Sequence, residues 1–482
     1  MSDKSDHRAG LKQINRRSLM QLLGGFGGAA LSFGSISSLA SLDGWIEHGL
    51  AQTRSGGRYF IHLCFDGGWD LLLGLDPRSP QDFPDTDVPI TGIETGYHRL
   101  PVQFSRSLIS TDHFDLGPCA QALQPWSEKI ALIRGMDMAT LTHEVGRRHL
   151  NTAVSPIGLS ARGSSVTARA AALTMGEGEQ AIPHFAHLVE TYNQDLPSEV
   201  SALTVSSVDH LQYLLQDTLG IPSYMPANIR GALNRYWDKQ HQAYQDHWRE
   251  HPATGTSQRM LERALKTRAQ ARALVKHSLH TSFQFNSPAQ ANLRNRYGIT
   301  IGQLDTPRGR AALAAQTLKT GLSRSVNLSL VTGLDTHDQS WARDHSVRLD
   351  EGFTALALLL SDLAESADPL GGGSLLEQTT LVVTSEFSRT PRLNERGGRD
   401  HHLSNAALLI GRGIQGGQII GATSPEYMSP LKIDLETGSP TVDGASIRPE
   451  ELMRTALKAL GFDVPETEIR GGLLSPVLTE LV

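Results

Sequence analysis

The chain has 482 residues and a net charge of −6, so no global basic surface points to nucleic acid as a partner. A hydrophobic share of 39% with 46 glycines describes a globular but loop-rich protein, long enough for one large α/β domain with insertions or for two domains. The two cysteines, Cys64 and Cys119, exclude a disulfide framework and a cysteine-based zinc site. Cys64 lies in an apolar run and reads as a small buried hydrophobe.

In chain order, the first element is a leader. Asn15-Arg16-Arg17-Ser18-Leu19-Met20 precedes a Gly/Ala/Leu-rich stretch from Leu22 to Ala40. A paired arginine followed closely by apolar residues resembles a twin-arginine export signal. Five glycines in that stretch make it a poor membrane anchor. Small residues at Ser38-Leu39-Ala40, or at Gly49-Leu50-Ala51, suit cleavage. Residues 1–51 are therefore expected to be signal and linker. The mature protein is expected to be periplasmic or secreted, exported already folded by the twin-arginine machinery, with no stable membrane span.

Tyr59 to Phe65 reads as the first core strand, and Asp76 to Gly117 as a long irregular excursion rich in Pro, Asp, Thr and Ser. Lys129 to Ile133 is a second strand, and Thr142 to Thr152 a helix with Thr142 at its cap. Leu203 to Val208 is a further strand. From about 227 to 285 the composition turns to Arg, Lys, Gln, Ala and Leu, which predicts two long helices broken near His251 to Gly255. We read this as a helical insertion on the α/β core, its basic residues a solvated face or a grip for an anion. Val326 to Val331 is a strand. Leu349, Phe353, Leu356, Leu360 and Leu363 then mark one face of a helix ended by Pro369 and Gly371 to Gly373. Leu381 to Thr384 and Ala406 to Ile410 complete the strands. The alternation predicts a largely parallel sheet covered on both faces.

Carboxylates and histidines recur where these strands end, which is where open α/β sheets build their sites. Asp66 ends the first strand and is followed by Gly67-Gly68, which permits close backbone approach; Asp70 is either a second site residue or a cap. Asp335 and His337 stand two apart after the middle strand, with Asp338 placed to orient the imidazole. Glu386 ends an apolar strand, where it needs a cation or hydrogen bonds, and Arg389 is its nearest partner or else faces an anionic substrate. Asp400-His401-His402 is the densest cluster, with one histidine predicted to ligate, His401 in preference, and His402 to contact substrate. Asp66, Asp335, His337, Glu386, Asp400 and His401 are the predicted metal residues. The mixture of Asp, Glu and His suits a divalent metal such as zinc, one or two ions, better than calcium; manganese and calcium are the alternatives. Thr142, His143 and Arg147 lie at a strand-to-helix turn, where a hydroxyl can become a nucleophile or simply cap. His149, Ser164 and Ser165 are weaker candidates.

Asp66-Gly67-Gly68-Trp69-Asp70, Asp335-Thr336-His337, Ser385-Glu386-Phe387-Ser388-Arg389-Thr390 and Gly398-Arg399-Asp400-His401 together resemble the signature of the bacterial domain of unknown function 1501 family, from about Tyr59 to Val482. The resemblance implies an alkaline phosphatase-like, three-layer α/β/α sandwich over 58–482, with one or two metals at the C-terminal edge of the sheet. It implies that Asp66, Asp335, His337 and His401 are metal ligands, that Thr142 and His143 lie near the nucleophile, and that Phe387 replaces a ligating histidine. No Cys-x-Pro-x-Arg is present, which disfavours a formylglycine sulfatase.

Two functions from different classes follow as expectations. One is an exported metal-dependent hydrolase of phosphate or sulfate esters, with Thr142, His143 and Arg389 catalytic and Arg147 and His402 binding the anionic substrate. The other is a periplasmic or surface binding or assembly protein with a cell-envelope partner and no turnover.

Overall fold

Strand β1 (Tyr59–Phe65) is apolar almost throughout and packed on both faces, as a strand at the centre of a parallel sheet must be. The computed structural model describes residues 56–177, 180–215 and 279–479, with isolated positions between 228 and 246. The other strands of the large sheet are β2 (Ile130–Asp137), β3 (His184–His187), β4 (Leu203–Val205), β5 (Ser325–Val331), β6 (Thr379–Thr384), β9 (Ser404–Gly411) and β10 (Gln418–Ile420). A small ribbon, β7 (Ser388–Arg389) with β8 (His401–His402), stands beside it. The order across the sheet is β10-β2-β9-β6-β1-β5-β3-β4. Strand β9 runs antiparallel to both neighbours, β6 and β2, and the other pairings are parallel.

The main helices are α1 (His143–Thr152), α2 (Val166–Leu173), α3 (Val208–Leu215), α4 (Pro307–Lys319), α5 (Ser346–Glu365) and α6 (Pro449–Ala459). Alternate residues of one strand enter different cores. Ile61, Leu63, Leu381, Val383 and Leu408 pack with α4 and α5. Phe60, Val382, Ala407 and Leu409 pack with α1, α2 and α6. A sheet with helices on both faces is a three-layer α/β/α sandwich.

The predicted stripe Leu349, Phe353, Leu356, Leu360 and Leu363 is wholly buried on α5. That helix ends at Glu365, before Pro369 is reached. Strand β2 outruns its prediction because a bulge between Arg134 and Met136 lets pairing with β9 continue to Asp137. Strand β4 is shorter than predicted, since Val208 already begins α3. The leader, the break near His251 and most of the predicted insertion lie outside the described residues; Leu279–Ser282 at its end is helical. No helix among the described residues is long and apolar enough to cross a membrane.

Candidate metal centre

The parallel strands β1, β5 and β6 deliver Asp66, Asp335 with His337, and Glu386 to one edge of the sheet. Strand β9 runs the other way, so the residues before it reach the same edge. The β7–β8 ribbon sets Arg389 opposite His401. Strand β2 leaves at this edge as well and leads into α1, which begins with His143. Two glycines permit the close packing. Gly67 has φ +113°, and a Cβ there would lie 2.5 Å from the Asp335 amide nitrogen. A Cβ on Gly146 would lie 2.3 Å from the Glu386 carbonyl oxygen, so its absence lets α1 rest on the end of β6. Alanine in a helix ordinarily gains about 1 kcal/mol over glycine. Gly146→Ala is nevertheless expected to lower the denaturant midpoint; an unchanged or raised midpoint would contradict this packing.

Three imidazoles converge. His143 Nδ1 faces Glu386 Oε1 at 2.7 Å, His337 Nδ1 faces Asp400 Oδ1 at 2.7 Å, and His401 Nδ1 faces the Leu141 carbonyl at 2.7 Å. Each acceptor favours a proton on Nδ1, which leaves Nε2 as the acceptor atom; on His337 that atom takes a hydrogen bond from Arg389 Nη1 at 3.2 Å. Those Nε2 atoms lie 3.4, 2.9 and 3.3 Å from Asp335 Oδ1, in the order His143, His337, His401. His337 and His401 bring their Nε2 atoms within 3.0 Å of each other. His143 Nε2 is buried without a hydrogen-bond partner among the described residues. Arg389 supplies a cation at this point, donating to His337 Nε2 and to Asp335 Oδ1. The ligand atoms that His143, Asp335 and His401 offer all lie within 4.8 Å of one another, close enough for one ion. These three residues could therefore hold a divalent metal, with His337 beside them, its Nε2 2.9 Å from Asp335 Oδ1.

Asp66 and Glu386 face Arg147, Asp335 faces Arg389, and Asp400 faces His337. Burial works to raise the Asp335 pKa, but the hydrogen bond and charge of Arg389, with His143 behind them, hold it well below the usual carboxylate range. Burial, and then the charge of Glu386, raise Asp66 against the pull of Arg147. Burial lowers the His143 pKa, yet Glu386 and Asp335 together leave it raised.

Of the predicted metal residues, Asp335, His337 and His401 come together directly. Asp400 and Glu386 stand behind the donors, each holding an imidazole, and Asp66 is bound to Arg147 at 2.7 Å. Asp338, predicted to orient His337, accepts the Ser340 amide instead, and Asp400 does the orienting. Arg389 pairs with Asp335 at 2.6 Å rather than with Glu386. It is wholly buried, and it also donates to the Gly67, Gly68 and Arg399 carbonyls and to His337 Nε2. With its nitrogens so committed it has none to offer a substrate, contrary to the expectation from sequence. Thr142 is the N-cap of α1 by position, but its hydroxyl accepts no helix amide. His402 turns away from His401, as neighbours in a strand do, and its Nδ1 accepts the Ser404 amide. Asp70 accepts the amides of Leu72 and Leu73. His149 pairs with Glu450, and Ser164 and Ser165 hold the Tyr192 to Asp195 loop. His143 from α1 joins the group, its ring packed 4.7 Å from the Phe387 phenyl. Its signal was present in the sequence: His143 and Arg147 are four apart and share a helix face.

A cleft of about 650 Å³ opens beside this group, walled by Cys64, Asp66, Arg147, Asn151, Asn327 and Ser329 among others. Cys64 is only half-buried, so it is a wall residue and not a core hydrophobe. Burial pushes its thiol up to about 12, aided by the charges of Glu386 and Asp66, and keeps it neutral.

Fold and site thus define a three-layer α/β/α protein with a histidine–carboxylate centre at the C-terminal edge of its sheet. Residues 58–472 match the family described as Protein of unknown function (DUF1501), and the chain belongs to it. No curated protein matches. Among solved structures, the chain is similar to a protein in the alkaline phosphatase superfamily from Vibrio parahaemolyticus, at 10% identity and TM-score 0.33 over 93% of this chain and 80% of that one. It is also similar to a phosphonate monoester hydrolase from Silicibacter pomeroyi, at 10% identity and TM-score 0.32 over 88% and 78%. A sulfatase from Pseudoalteromonas sp. is similar at 10% identity and TM-score 0.34 over 93% and 77%.

Proposed function

We propose that the protein is an exported metal-dependent hydrolase of phosphate or sulfate esters. The observation that carries this reading is the convergence of three Nε2 atoms on Asp335, each imidazole pinned through its Nδ1. Imidazole nitrogen mixed with carboxylate oxygen favours zinc, whereas calcium would need more oxygen ligands. A bound divalent cation supplies polarisation of the ester and acidification of water. The chain's residues do the rest. Arg147, half-exposed on the cleft wall, holds the anionic group of the substrate. Arg389 and Asp400 fix Asp335 and His337. Water acidified at the metal is the nucleophile in this reading.

The test is elemental analysis of the purified protein, wild type and His401→Ala, followed by assays with 4-nitrophenyl phosphate and sulfate. About one equivalent of metal, lost in the variant, with turnover of either ester, is expected. No stoichiometric metal after reconstitution with zinc, manganese and calcium would sink the proposal. Metal without turnover of either ester would leave the binding or assembly function instead. Asp400→Asn should weaken zinc affinity about 10–100-fold by freeing the His337 ring, as measured by competition with a chelating dye.

A further inference from the structure

Next to the imidazole group lies a second knot of charge. Asp66 and Glu386 end the neighbouring strands β1 and β6 and face each other across Arg147. One nitrogen, Arg147 Nη1, lies 2.7 Å from Asp66 Oδ1 and 3.7 Å from Glu386 Oε1. The Gly67 amide donates to that same Glu386 oxygen at 2.9 Å. Two carboxylates that face one cation offer oxygen donors of the kind a divalent ion takes, and two-metal hydrolases set their second ion about 3.5–4 Å from the first. His143 joins the two knots, with Nδ1 on Glu386 and Nε2 facing Asp335.

We propose that Arg147 is a cation built into the chain in the place of a second metal ion, so that the centre holds one exchangeable metal. The proposal rests on the metal-dependent reading above and sharpens it. The guanidinium balances the two carboxylates with one positive charge and has no open coordination position. Its side chain keeps two-fifths of its surface exposed and lines the cleft, so its free edge can meet the substrate's anion as a second metal would. A reaction run here has a single Lewis-acid ion and a fixed arginine to share the developing charge.

The experiment counts zinc in the full-length protein by elemental analysis after exhaustive dialysis. Wild type should retain about one equivalent. Arg147→Ala, which vacates the space between Asp66 and Glu386, should retain about two, and the double variant Arg147→Ala/Asp66→Ala should return to about one. Arg147→Gln should also gain the second equivalent, and it serves if the alanine variant fails to fold. Arg147→Lys keeps a fixed cation and should stay at about one. Two equivalents in wild type would leave the metal-dependent reading standing and overturn this proposal. A count that stays at one in both Arg147→Ala and Arg147→Gln would overturn it too. No metal in wild type would overturn the metal-dependent reading itself, and this proposal with it.

Discussion

Asp335→Ala is expected to abolish metal retention and ester hydrolysis together while the protein stays folded. Its Oδ1 is the common point for His143, His337, His401 and Arg389, so the substitution takes the carboxylate from the middle of the group. Removing a residue that merely holds a ligating imidazole costs about 10–100-fold in metal affinity, and losing the central carboxylate should exceed the upper figure. The fold should survive for a specific reason. Arg389 keeps its hydrogen bonds to the Gly67, Gly68 and Arg399 carbonyls, and the Asp335 side chain is itself about half exposed (48%). Metal content, far-UV circular dichroism and ester turnover, measured on one preparation, test the claim. Retention of full metal and turnover would show that the convergence on Asp335 has no chemical role.

Asp70→Ala should do the reverse, costing stability rather than metal. Asp70 is buried, and its Oδ2 accepts Trp341 Nε1 at 2.7 Å and faces Arg399 Nε at 2.9 Å. Its Oδ1 accepts the Leu72 and Leu73 amides at 2.9 and 3.2 Å. Arg399 is wholly inaccessible, stacks over the Trp341 ring, and donates to the carbonyls of Glu94, Thr95 and Thr390. The pair therefore ties the loop after β1 to the long excursion and to the loop before β8. Breaking a buried ion pair by removing one partner costs about 3–5 kcal/mol, because the other charge is left uncompensated. Urea unfolding should show a loss of that size, and Asp70→Asn, which keeps the amide contacts, a smaller one. A loss below about 1 kcal/mol, within the range of an exposed pair, would mean that Arg399 needs no partner.

The central strands were legible because burial on both faces makes them continuous apolar runs, and β1, β5, β6 and β9 all stand within two residues of their predicted bounds. Strand β3 was not legible: His184-Phe185-Ala186-His187 carries two fully buried histidines, a pattern that does not resemble a core strand. Helix α4 escaped because its Ala-rich sequence is buried nearly all round and shows no apolar stripe. At the site, the placing of carboxylates and histidines at strand ends was visible in the sequence, but their division of labour was not. Whether Asp338 or Asp400 holds His337 depends on how two distant loops meet. Whether His401 or His402 enters the group depends on the phase of a two-residue strand. The entry of His143 required knowing that α1 lies against β6.

The position of β1 at the middle of the sheet fixes when the protein can be finished. Its partners are β5 and β6, and β6 ends about 320 residues after β1 does. At a synthesis rate of about 5–20 residues per second, β1 waits tens of seconds on the ribosome for its second neighbour. Strand β2 waits similarly for β9 and β10. The donors gathered around Asp335 span residues 143 to 401, so a chain stopped anywhere before β8 carries no complete centre. Folding is therefore largely a post-synthetic event with long-range closure, which makes the nascent chain dependent on protection of its exposed apolar strands until the last third has emerged.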